Sequence, residues 1–206
     1  MTIELVNTTG IFALDDGEWE VTNNIWLVGN DREVIVIDAA HDAAAIVDGV
    51  NGRHVRAIAL THGHNDHINA ALALQDVVDA PILLHPADLM LWHVVYPDVE
   101  PDQSLADKQM LNVAGSELVV MHTPGHAPGC CCFHIVGGAA DGSDILFSGD
   151  TLFCGGPGAT GRSYSDYDTI VHSIRERLFA LPPETIVHTG HGASTTIGAE
   201  ADALGR

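Results

Sequence analysis

Basic side chains are scarce in this sequence of 206 residues. Eight Lys and Arg stand against 28 Asp and Glu, which gives a formal net charge of −20, and Lys108 is the only lysine. A protein that binds nucleic acid needs a basic face to neutralise phosphates, and attachment to an anionic membrane surface needs one as well. We therefore expect neither a nucleic-acid partner nor a membrane partner.

Cysteines and long apolar runs are also few. The four cysteines form no Cys-x-x-Cys pair, because three are adjacent at 130–132 and the fourth is Cys154. This excludes a disulfide framework and a thiolate zinc site, and it favours reduced thiols in the cytoplasm. The N-terminal segment Met1–Glu20 does not resemble a signal peptide, and no apolar run approaches the ~20 residues of a membrane span. We therefore expect a soluble, cytoplasmic protein.

The remaining composition indicates a single globular domain over residues 1–206. Apolar residues make up 46% of the chain and charged residues only 17%, so a substantial core can form. Neither a repeat nor a linker rich in Pro and Ser divides the sequence. Histidine, in contrast, is abundant, and 13 histidines in a chain with so few other cationic groups suggest metal binding.

Short apolar runs alternate with segments of helical periodicity along the chain. Strands are predicted over Asn24–Gly29, Glu33–Asp38, Val55–Leu60, Pro81–Leu84, Glu117–Met121, Cys131–Val136, Asp144–Ser148 and Thr185–His188. Helices are predicted over His41–Val50, Ile68–Val78, Ala87–Val95 and Asp166–Leu181. Strands interleaved with helices indicate an α/β (α+β) fold in which two mixed sheets pack together and helices cover their outer faces.

The clearest functional motif is Thr61–His67, with the sequence THGHNDH, which follows an apolar strand and opens a helix. In an extended segment, side chains two residues apart point in the same direction, so His62 and His64 can contact one cation. The chain then turns into the helix, which displaces Asp66 and His67 toward a second point. Imidazole and carboxylate groups are ligands for zinc, manganese or iron.

Three other segments also follow predicted strands. They are TPGHAPG at 123–129, FSGDTLF at 147–153 and GHG at 190–192. Each places a His or an Asp next to glycines, which let the backbone approach closely without a side-chain clash. Because catalytic loops gather at one edge of a scaffold, we expect His126, Asp150 and His191 to lie near the THGHNDH segment.

The order of these four segments resembles the metallo-β-lactamase superfamily, and most closely its glyoxalase II-like hydrolases. The similarity extends from about Ile25 to Gly192 and implies a four-layer αββα sandwich with a two-metal site at one edge. The implied ligands are His62, His64 and His126 for one metal, Asp66, His67 and His191 for the other, and Asp150 for both. Asp38 resembles the acidic residue that braces the His loop in this family, and an Asp that merely starts a turn is the alternative.

A two-metal site of this kind implies hydrolysis. Two divalent ions, Zn by expectation with Fe or Mn as alternatives, lower the pKa of a bridging water so that hydroxide attacks a carbonyl group. Asp66 is the candidate catalytic residue that orients this nucleophile. A thiol has a pKa of about 8.5, so a thiolate leaves without a strong general acid. The expected substrate is therefore a thioester of a small thiol.

Three other functions are alternatives. A lactonase of the same family keeps the Asp at position 150, whereas true β-lactamases have Cys or another residue there, which argues against antibiotic hydrolysis. Persulfide dioxygenases have the same motif residues and use one iron, held by two His and one Asp. The third alternative is a metal-binding module without catalysis.

Two features differ from the glutathione-dependent members of the family. Those enzymes continue into a helical domain with basic residues, whereas Arg206 is the only basic residue after His191 here. The usual GGCGR segment is replaced by Gly155–Arg162, which has Pro in the Cys position and additional residues. We therefore expect no preference for glutathione adducts. Arg162 is the candidate contact for a substrate carboxylate, with structural pairing to an acid as the alternative.

Eight histidines and the four cysteines match no ligand motif. These histidines are His41, His54, His85, His93, His122, His134, His172 and His188. Each is expected to lie at the surface or to make structural hydrogen bonds, although His122 and His188 are close enough to the motifs to support a ligand. The adjacent cysteines are expected to alternate across a strand as small core residues, and Cys154 is expected to be a packed thiol.

Overall fold

Two six-stranded mixed sheets pack face to face in the computed structural model, which describes residues 1–204. Arg206, noted above as a basic residue, lies outside the described residues. Helices cover the outer face of each sheet, so the layers follow in the order helix, sheet, sheet, helix. This is the αββα arrangement predicted from the sequence. No helix in residues 1–204 combines the length and the apolar character needed to cross a membrane.

The first sheet contains the six N-terminal strands in chain order. They are β1 (Thr2–Leu14), β2 (Gly17–Gly29), β3 (Glu33–Ile37), β4 (His54–Ala59), β5 (Ile82–Leu84) and β6 (Gln103–Ser104). Strands β1 to β3 are antiparallel, and β3 to β6 are parallel. Parallel neighbours need crossover connections, which contain helices. These are α1 (Ala43–Val50), α2 (Asn65–Ile68), α3 (Ala71–Val78) and α4 (Leu89–Val95).

The second sheet contains six strands from the second half of the chain. They are β7 (Met110–Val113), β8 (Ser116–His122), β9 (Cys131–Ile135), β10 (Ile145–Gly149), β13 (Ile186–Thr189) and β14 (Thr195–Thr196), in the spatial order β14-β13-β10-β9-β8-β7. A small separate ribbon pairs β11 (Leu152–Phe153) with β12 (Gly156–Pro157). Helix α5 (Tyr167–Ser173) lies between the parallel strands β10 and β13 in the chain, and α6 (Ile197–Ala203) follows β14.

Central strands are buried on both faces, which explains their continuous apolar sequences. In β3, Val34 packs under the helices of the first sheet, whereas its neighbour Ile35 faces the second sheet. In β10, Leu146 packs under the helices of the second sheet, and Phe147 lies between the two sheets. Side chains that alternate in this way fill three apolar layers, which hold the four layers of secondary structure together.

The N-terminal hairpin is the largest element that the apolar pattern does not predict. Strands β1 and β2 pair over their full length, from Thr2 opposite Gly29 to Leu14 opposite Gly17. The first half of β2 is mostly exposed and carries Glu and Thr residues, so the predicted strand begins only at Asn24, near the point where β2 becomes buried. The predicted pairing of β2 with β3 is confirmed.

Two predicted helices are shorter or divided in the structure. The predicted helix Ile68–Val78 is wrong in its continuity, because two residues separate α2 from α3. At this break, Ala70 N–H donates to Ala39 O, and Asn69 Oδ1 accepts from the backbone N–H of His41. The predicted helix Asp166–Leu181 is α-helical only through α5 and continues as a π-helical turn that ends at Leu178. The short elements β7, β14 and α6 are not predicted.

The cysteines occupy two environments. Cys131 lies between the sheets and Cys132 under the helices of the second sheet, as the predicted alternation requires. Cys130 is buried too, and all four cysteines are free. Cys154 is exposed, so the prediction of a packed thiol is wrong. It follows the two-residue strand β11 in a turn, where nothing covers the side chain.

Candidate metal centre

Four loops that carry His and Asp side chains meet where strands of the two sheets end. The Thr61–His67 segment follows β4, His126 follows β8, Asp150 follows β10 and His191 follows β13. The structure brings all seven predicted ligands into one site. Their nitrogen and oxygen atoms form overlapping groups of three, and within each group the atoms lie no more than 4.8 Å apart.

The first cluster consists of His62, His64 and His126. His64 Nδ1 lies 3.0 Å from His62 Nε2 and 3.0 Å from His126 Nε2, and all three side chains are buried. His126 Nδ1 donates to Ala159 O at 2.7 Å, and His62 Nδ1 donates to the Thr61 hydroxyl at 3.0 Å. Because Nδ1 donates in both rings, the Nε2 atom of each ring is directed toward the cluster and is available to a metal ion.

Burial opposes protonation of two rings of the first cluster, His62 and His64. Burial, reinforced by nearby histidines, holds the pKa of His62 well below its usual value and lowers the pKa of His64 to about 3. His64 Nδ1 carries at most one proton, yet it lies 3.0 Å from two ring nitrogens, His62 Nε2 and His126 Nε2. A metal ion fits such a group of imidazole donors.

The second cluster consists of Asp66, His67 and His191. The two Nε2 atoms are 3.2 Å apart, and Asp66 Oδ2 lies 3.6 Å from His67 Nε2 and 3.3 Å from His191 Nε2. Burial opposes protonation of both rings, but the surrounding carboxylates, Asp150 first, outweigh it. They raise the pKa of His67 well above its usual value and that of His191 to about 10. The carboxylates around this cluster therefore favour positive charge on its rings.

Asp150 lies between the two clusters. Its Oδ1 is 3.3 Å from His67 Nε2, and its Oδ2 is 3.5 Å from His126 Nε2 and 3.5 Å from His191 Nε2. The carboxylate can approach so closely because Gly190 has no side chain: a Cβ atom there would lie 2.3 Å from Asp150 Oδ1.

One buried carboxylate oxygen in the site is not satisfied by hydrogen bonds within residues 1–204. Asp150 Oδ1 has no hydrogen-bond partner there, although buried polar atoms normally have one, and its nearest contact is the 3.3 Å approach to His67 Nε2. Imidazole and carboxylate donors at these separations suit zinc, iron or manganese. The residues present thus fit two metal ions, one in each cluster, with Asp150 within reach of both.

Asp38 contacts the loop that carries four of the ligands. Its Oδ1 accepts from the backbone N–H of Thr61 at 2.7 Å, and its Oδ2 accepts from the Thr61 hydroxyl at 2.9 Å and from His67 Nδ1 at 2.8 Å. The residue also has a positive φ of 64°, as a turn-starting Asp can have. The two interpretations of the sequence therefore describe the same residue, which turns the chain and orients the His67 ring.

Asp88 is a buried carboxylate that the sequence motifs do not include. It accepts from the backbone N–H groups of Gly63, at 2.8 Å, and of Gly129, at 2.5 Å, and so connects the two loops that carry the first cluster. Burial outweighs these two hydrogen bonds and raises the pKa of Asp88 to about 6. A lone Asp after a short strand carries no recognisable signal, so only the structure identifies it.

A cleft of about 500 Å³ opens onto both clusters. Phe12 and Trp19, from the N-terminal hairpin, line one side together with Phe153. The guanidinium of Arg162 lies 3.8 Å from the centre of the Trp19 ring, where a cation–π contact holds it at the cleft. Arg162 forms no ion pair within residues 1–204, so the predicted alternative of structural pairing with an acid is not observed.

The eight other histidines lie outside both clusters of the described chain. His85 stacks on His122 with ring centres 4.0 Å apart, and His134 pairs with Asp144 at 2.9 Å. His122 Nε2 donates to Pro128 O at 2.8 Å, which supports the loop of His126. His41 lies behind the second cluster, where it contacts the side chain of Asn23, a buried residue that the motifs also do not include.

The fold and the site define a metal-binding αββα protein of the hydrolase type. The family model described as the metallo-beta-lactamase superfamily matches residues 19–191. The chain belongs to this superfamily, as its motifs predict.

Individual relatives and structures are similar over most of their length. Hydroxyacylglutathione hydrolase GloC of Haemophilus influenzae is 30% identical over 191 residues, which cover 85% of this chain and 87% of the relative. The structure of BLEG-1, a B3 metallo-beta-lactamase, superposes with a TM-score of 0.76 at 29% identity and covers 95% of this chain and 97% of its own. The structure of TTHA1623 in a di-iron-bound form superposes with a TM-score of 0.75 at 33% identity. The match covers 89% of this chain and 94% of the TTHA1623 chain.

Proposed function

We propose that the protein is a metal-dependent hydrolase that cleaves thioesters of small thiols. The observation that carries the proposal is a pair of ligand clusters, joined by Asp150, at the base of an aromatic-lined cleft. Family membership supports metal-dependent hydrolysis, and the relative named as a hydroxyacylglutathione hydrolase supports a thioester substrate.

The seven ligands divide into two roles in this proposal. Each cluster holds one ion and Asp150 binds both, with Zn as the proposed metal and Fe or Mn as alternatives. Two divalent ions, when bound, supply water activation at neutral pH and stabilise the developing oxyanion. Asp66 lines the cleft, and His67 and His191 lower its pKa although burial opposes this. The ionised carboxylate can accept a hydrogen bond from the attacking water and so orient it.

The cleft lining favours a leaving group that needs no acid. No Lys, Tyr or Cys lies among the described residues that line it, and the three histidines there, His64, His126 and His191, belong to the ligand clusters and would be held by the metal ions. An amine or alkoxide leaving group requires a proton donor at neutral pH, whereas a thiolate, with a thiol pKa of about 8.5, leaves without one. The absence of such a donor from the cleft therefore supports a thioester.

Arg162 is the proposed contact for a carboxylate on the substrate. Its guanidinium is stacked on Trp19, and within residues 1–204 it forms no ion pair, so its N–H groups can pair with an anion. We expect Arg162→Ala to raise KM about 10-fold for a thioester whose thiol carries a carboxylate, and to leave a neutral thioester unchanged. The matched control is Arg32→Ala, because the Arg32 side chain is 88% exposed. Equal effects on both substrates would contradict the assignment.

Among the described residues that line the cleft, Arg162 is the only Arg or Lys, so the lining does not match the two carboxylates of glutathione. We therefore propose that glutathione adducts are not preferred over simpler acyl thiols. The test compares kcat/KM for S-lactoylglutathione with that for an S-lactoyl adduct that lacks the γ-glutamyl and glycyl ends. A preference for the glutathione adduct of about 100-fold, or about 2.7 kcal/mol, would contradict this part of the proposal.

The reaction class is tested by a substrate panel. Thiol release is followed for lactoyl, formyl and acetyl thioesters, in parallel with lactones, penicillins and oxygen uptake on persulfide. We expect thioester turnover with weak or no penicillin hydrolysis. Lactone opening without thioester turnover would contradict the thioester substrate and indicate a lactonase. Oxygen uptake on persulfide by protein that contains one iron would contradict hydrolysis and indicate a dioxygenase.

A further inference from the structure

Asn23 lies directly behind the second cluster. Its side chain is fully buried. Its amide nitrogen Nδ2 is 3.2 Å from Asp66 Oδ2, 3.3 Å from His67 Nε2 and 3.4 Å from His191 Nε2. These are the three atoms that face one another in the cluster. The amide is thus a close neighbour of any ion that the second cluster holds.

A chain of hydrogen bonds determines which end of the Asn23 amide faces the cluster. The backbone N–H of His41 can only donate, so the Asn69 atom 2.6 Å from it is the amide oxygen. The Asn69 amide nitrogen then donates to His41 Nδ1 at 3.0 Å. A neutral imidazole that accepts at Nδ1 carries its proton on Nε2, which donates to Asn23 Oδ1 at 3.0 Å. The NH₂ group of Asn23 therefore points at the cluster.

The backbone accommodates this series of hydrogen bonds at two positions, His41 and Gly10. His41 adopts a φ of 59°, a conformation that non-glycine residues rarely adopt and that surrounding contacts must maintain. Gly10 of β1 provides the space for the ring, because a Cβ atom at position 10 would lie 2.3 Å from His41 Nδ1. A buried amide that only filled space would need neither feature.

We propose that Asn23 is a positioning residue of the second metal site and that His41 and Asn69 orient it. An amide NH₂ group cannot coordinate a metal, and a ring nitrogen that binds a metal cannot accept a hydrogen bond. When an ion is bound, the carboxylate oxygen of Asp66 is therefore the acceptor left for the NH₂ group, which holds that oxygen toward the ion. The inference rests on the two-ion site of the proposed function.

The test measures the affinity of each ion separately. Zinc-loaded protein is titrated with a competing chelator, and the His191→Ala variant identifies which dissociation step belongs to the second cluster. The variants are Asn23→Leu, which keeps the size but removes the donor, His41→Phe, which removes the N–H to Asn23, and His41→Gln, which can supply an N–H in its place. Circular dichroism monitors folding of each variant.

Two exposed residues whose side chains make no hydrogen bond within residues 1–204 supply matched controls. These are Asn112 and His54, tested as Asn112→Leu and His54→Phe. We expect Asn23→Leu to lower the affinity for the second ion 10- to 100-fold, which is the range for the loss of a contact that supports a ligand. The affinity for the first ion should change less than about 3-fold. His41→Phe should lower the affinity for the second ion about 10-fold, whereas His41→Gln should retain most of the wild-type affinity. The two controls should bind both ions as the wild type does.

Each other outcome contradicts a defined part of the account. A second ion that binds Asn23→Leu and His41→Phe as tightly as the wild type would show that the amide has no positioning role. Equal weakening by His41→Phe and His41→Gln would show that the size of the ring acts rather than its N–H. If Asn23→Leu does not fold, the His41 pair decides the question. Wild-type protein that releases only one ion would contradict the two-ion site itself, independently of Asn23.

Discussion

The first and second clusters lie on either side of Asp150, yet they differ in charge. The first cluster contains three imidazoles, and burial lowers the pKa of His64 to about 3. The second cluster contains a carboxylate, and the pKa of His191 is raised to about 10 because Asp150 and Asp66 outweigh burial. Without metal, the surroundings of the first cluster therefore disfavour a positive charge on His62 and His64, whereas those of the second favour one on His67 and His191.

Because of this difference in charge, two sites of similar ligand type need not bind an ion in the same way. Ligand atoms must lose their protons before they coordinate, so proton affinity and metal affinity compete. In the first cluster, the lowered pKa values of His62 and His64 leave these two rings without an additional proton at neutral pH. The second must exchange its protons for the ion, and its carboxylates stabilise either form of positive charge.

The largest expected effect comes from removing the group that the two clusters share. Asp150→Ala should abolish binding of one ion and weaken the other by well over 100-fold, because even an indirect support of a ligand contributes 10- to 100-fold. Thioester hydrolysis should fall with it. Elemental analysis of the purified variant gives the metal content, and two tightly held ions would contradict the bridging position.

Single-cluster variants should separate the two sites. His126→Ala should remove the first ion and largely spare the second, whereas His191→Ala should do the reverse, since each imidazole lies in one cluster only. The ions per chain are counted after dialysis against a weak chelator. Loss of both ions from either variant would show that the clusters do not bind independently.

The sequence predicts the fold and the ligand-bearing segments for physical reasons. Buried parallel strands require continuous apolar runs, and loops at their ends require glycines and polar residues, so both leave a pattern along the chain. The THGHNDH segment contains four ligands within six residues, which makes it recognisable without structural information. The superfamily and the αββα fold follow from these local signals.

Groups that act from a distance in sequence leave no such pattern. Asp88 connects two loops that are 66 residues apart, at Gly63 and Gly129, and nothing in its own neighbourhood indicates this. Asn23 belongs to β2, whose first half is mostly exposed, so an apolar pattern does not show where this strand begins. The charge difference between the clusters likewise depends on which carboxylates converge in space.

Asp88→Asn should affect metal binding at the first cluster only. The substitution leaves one of two buried backbone N–H groups without an acceptor, which costs about 1–3 kcal/mol of the free energy of unfolding. We expect the first ion to bind about 10-fold more weakly and the second ion to be unaffected. Denaturant unfolding and chelator competition measure the two quantities. Equal weakening of both ions would show that Asp88 supports the whole site.

The last expected effect is the pH dependence of the metal-free protein. The folded pKa of His191, about 10, exceeds its unfolded value of about 6.5, so its stabilising charge is fully present below pH ~6.5 and is lost as the pH rises toward 10. The free energy of unfolding should fall by up to about 1.4 kcal/mol per pH unit for this proton. His191→Gln should flatten this slope, and His54→Gln should not. An unchanged slope in His191→Gln would contradict the assignment.

The most direct test of the two clusters is a calorimetric titration of metal-stripped protein with Zn²⁺ at pH 7.5, in buffers of different ionisation enthalpy. We predict two ions per chain, the first without proton release and the second with release of at least one proton, because the pKa of His191 is about 10. Binding of a single ion, or two ions whose heats do not depend on the buffer, would contradict the account.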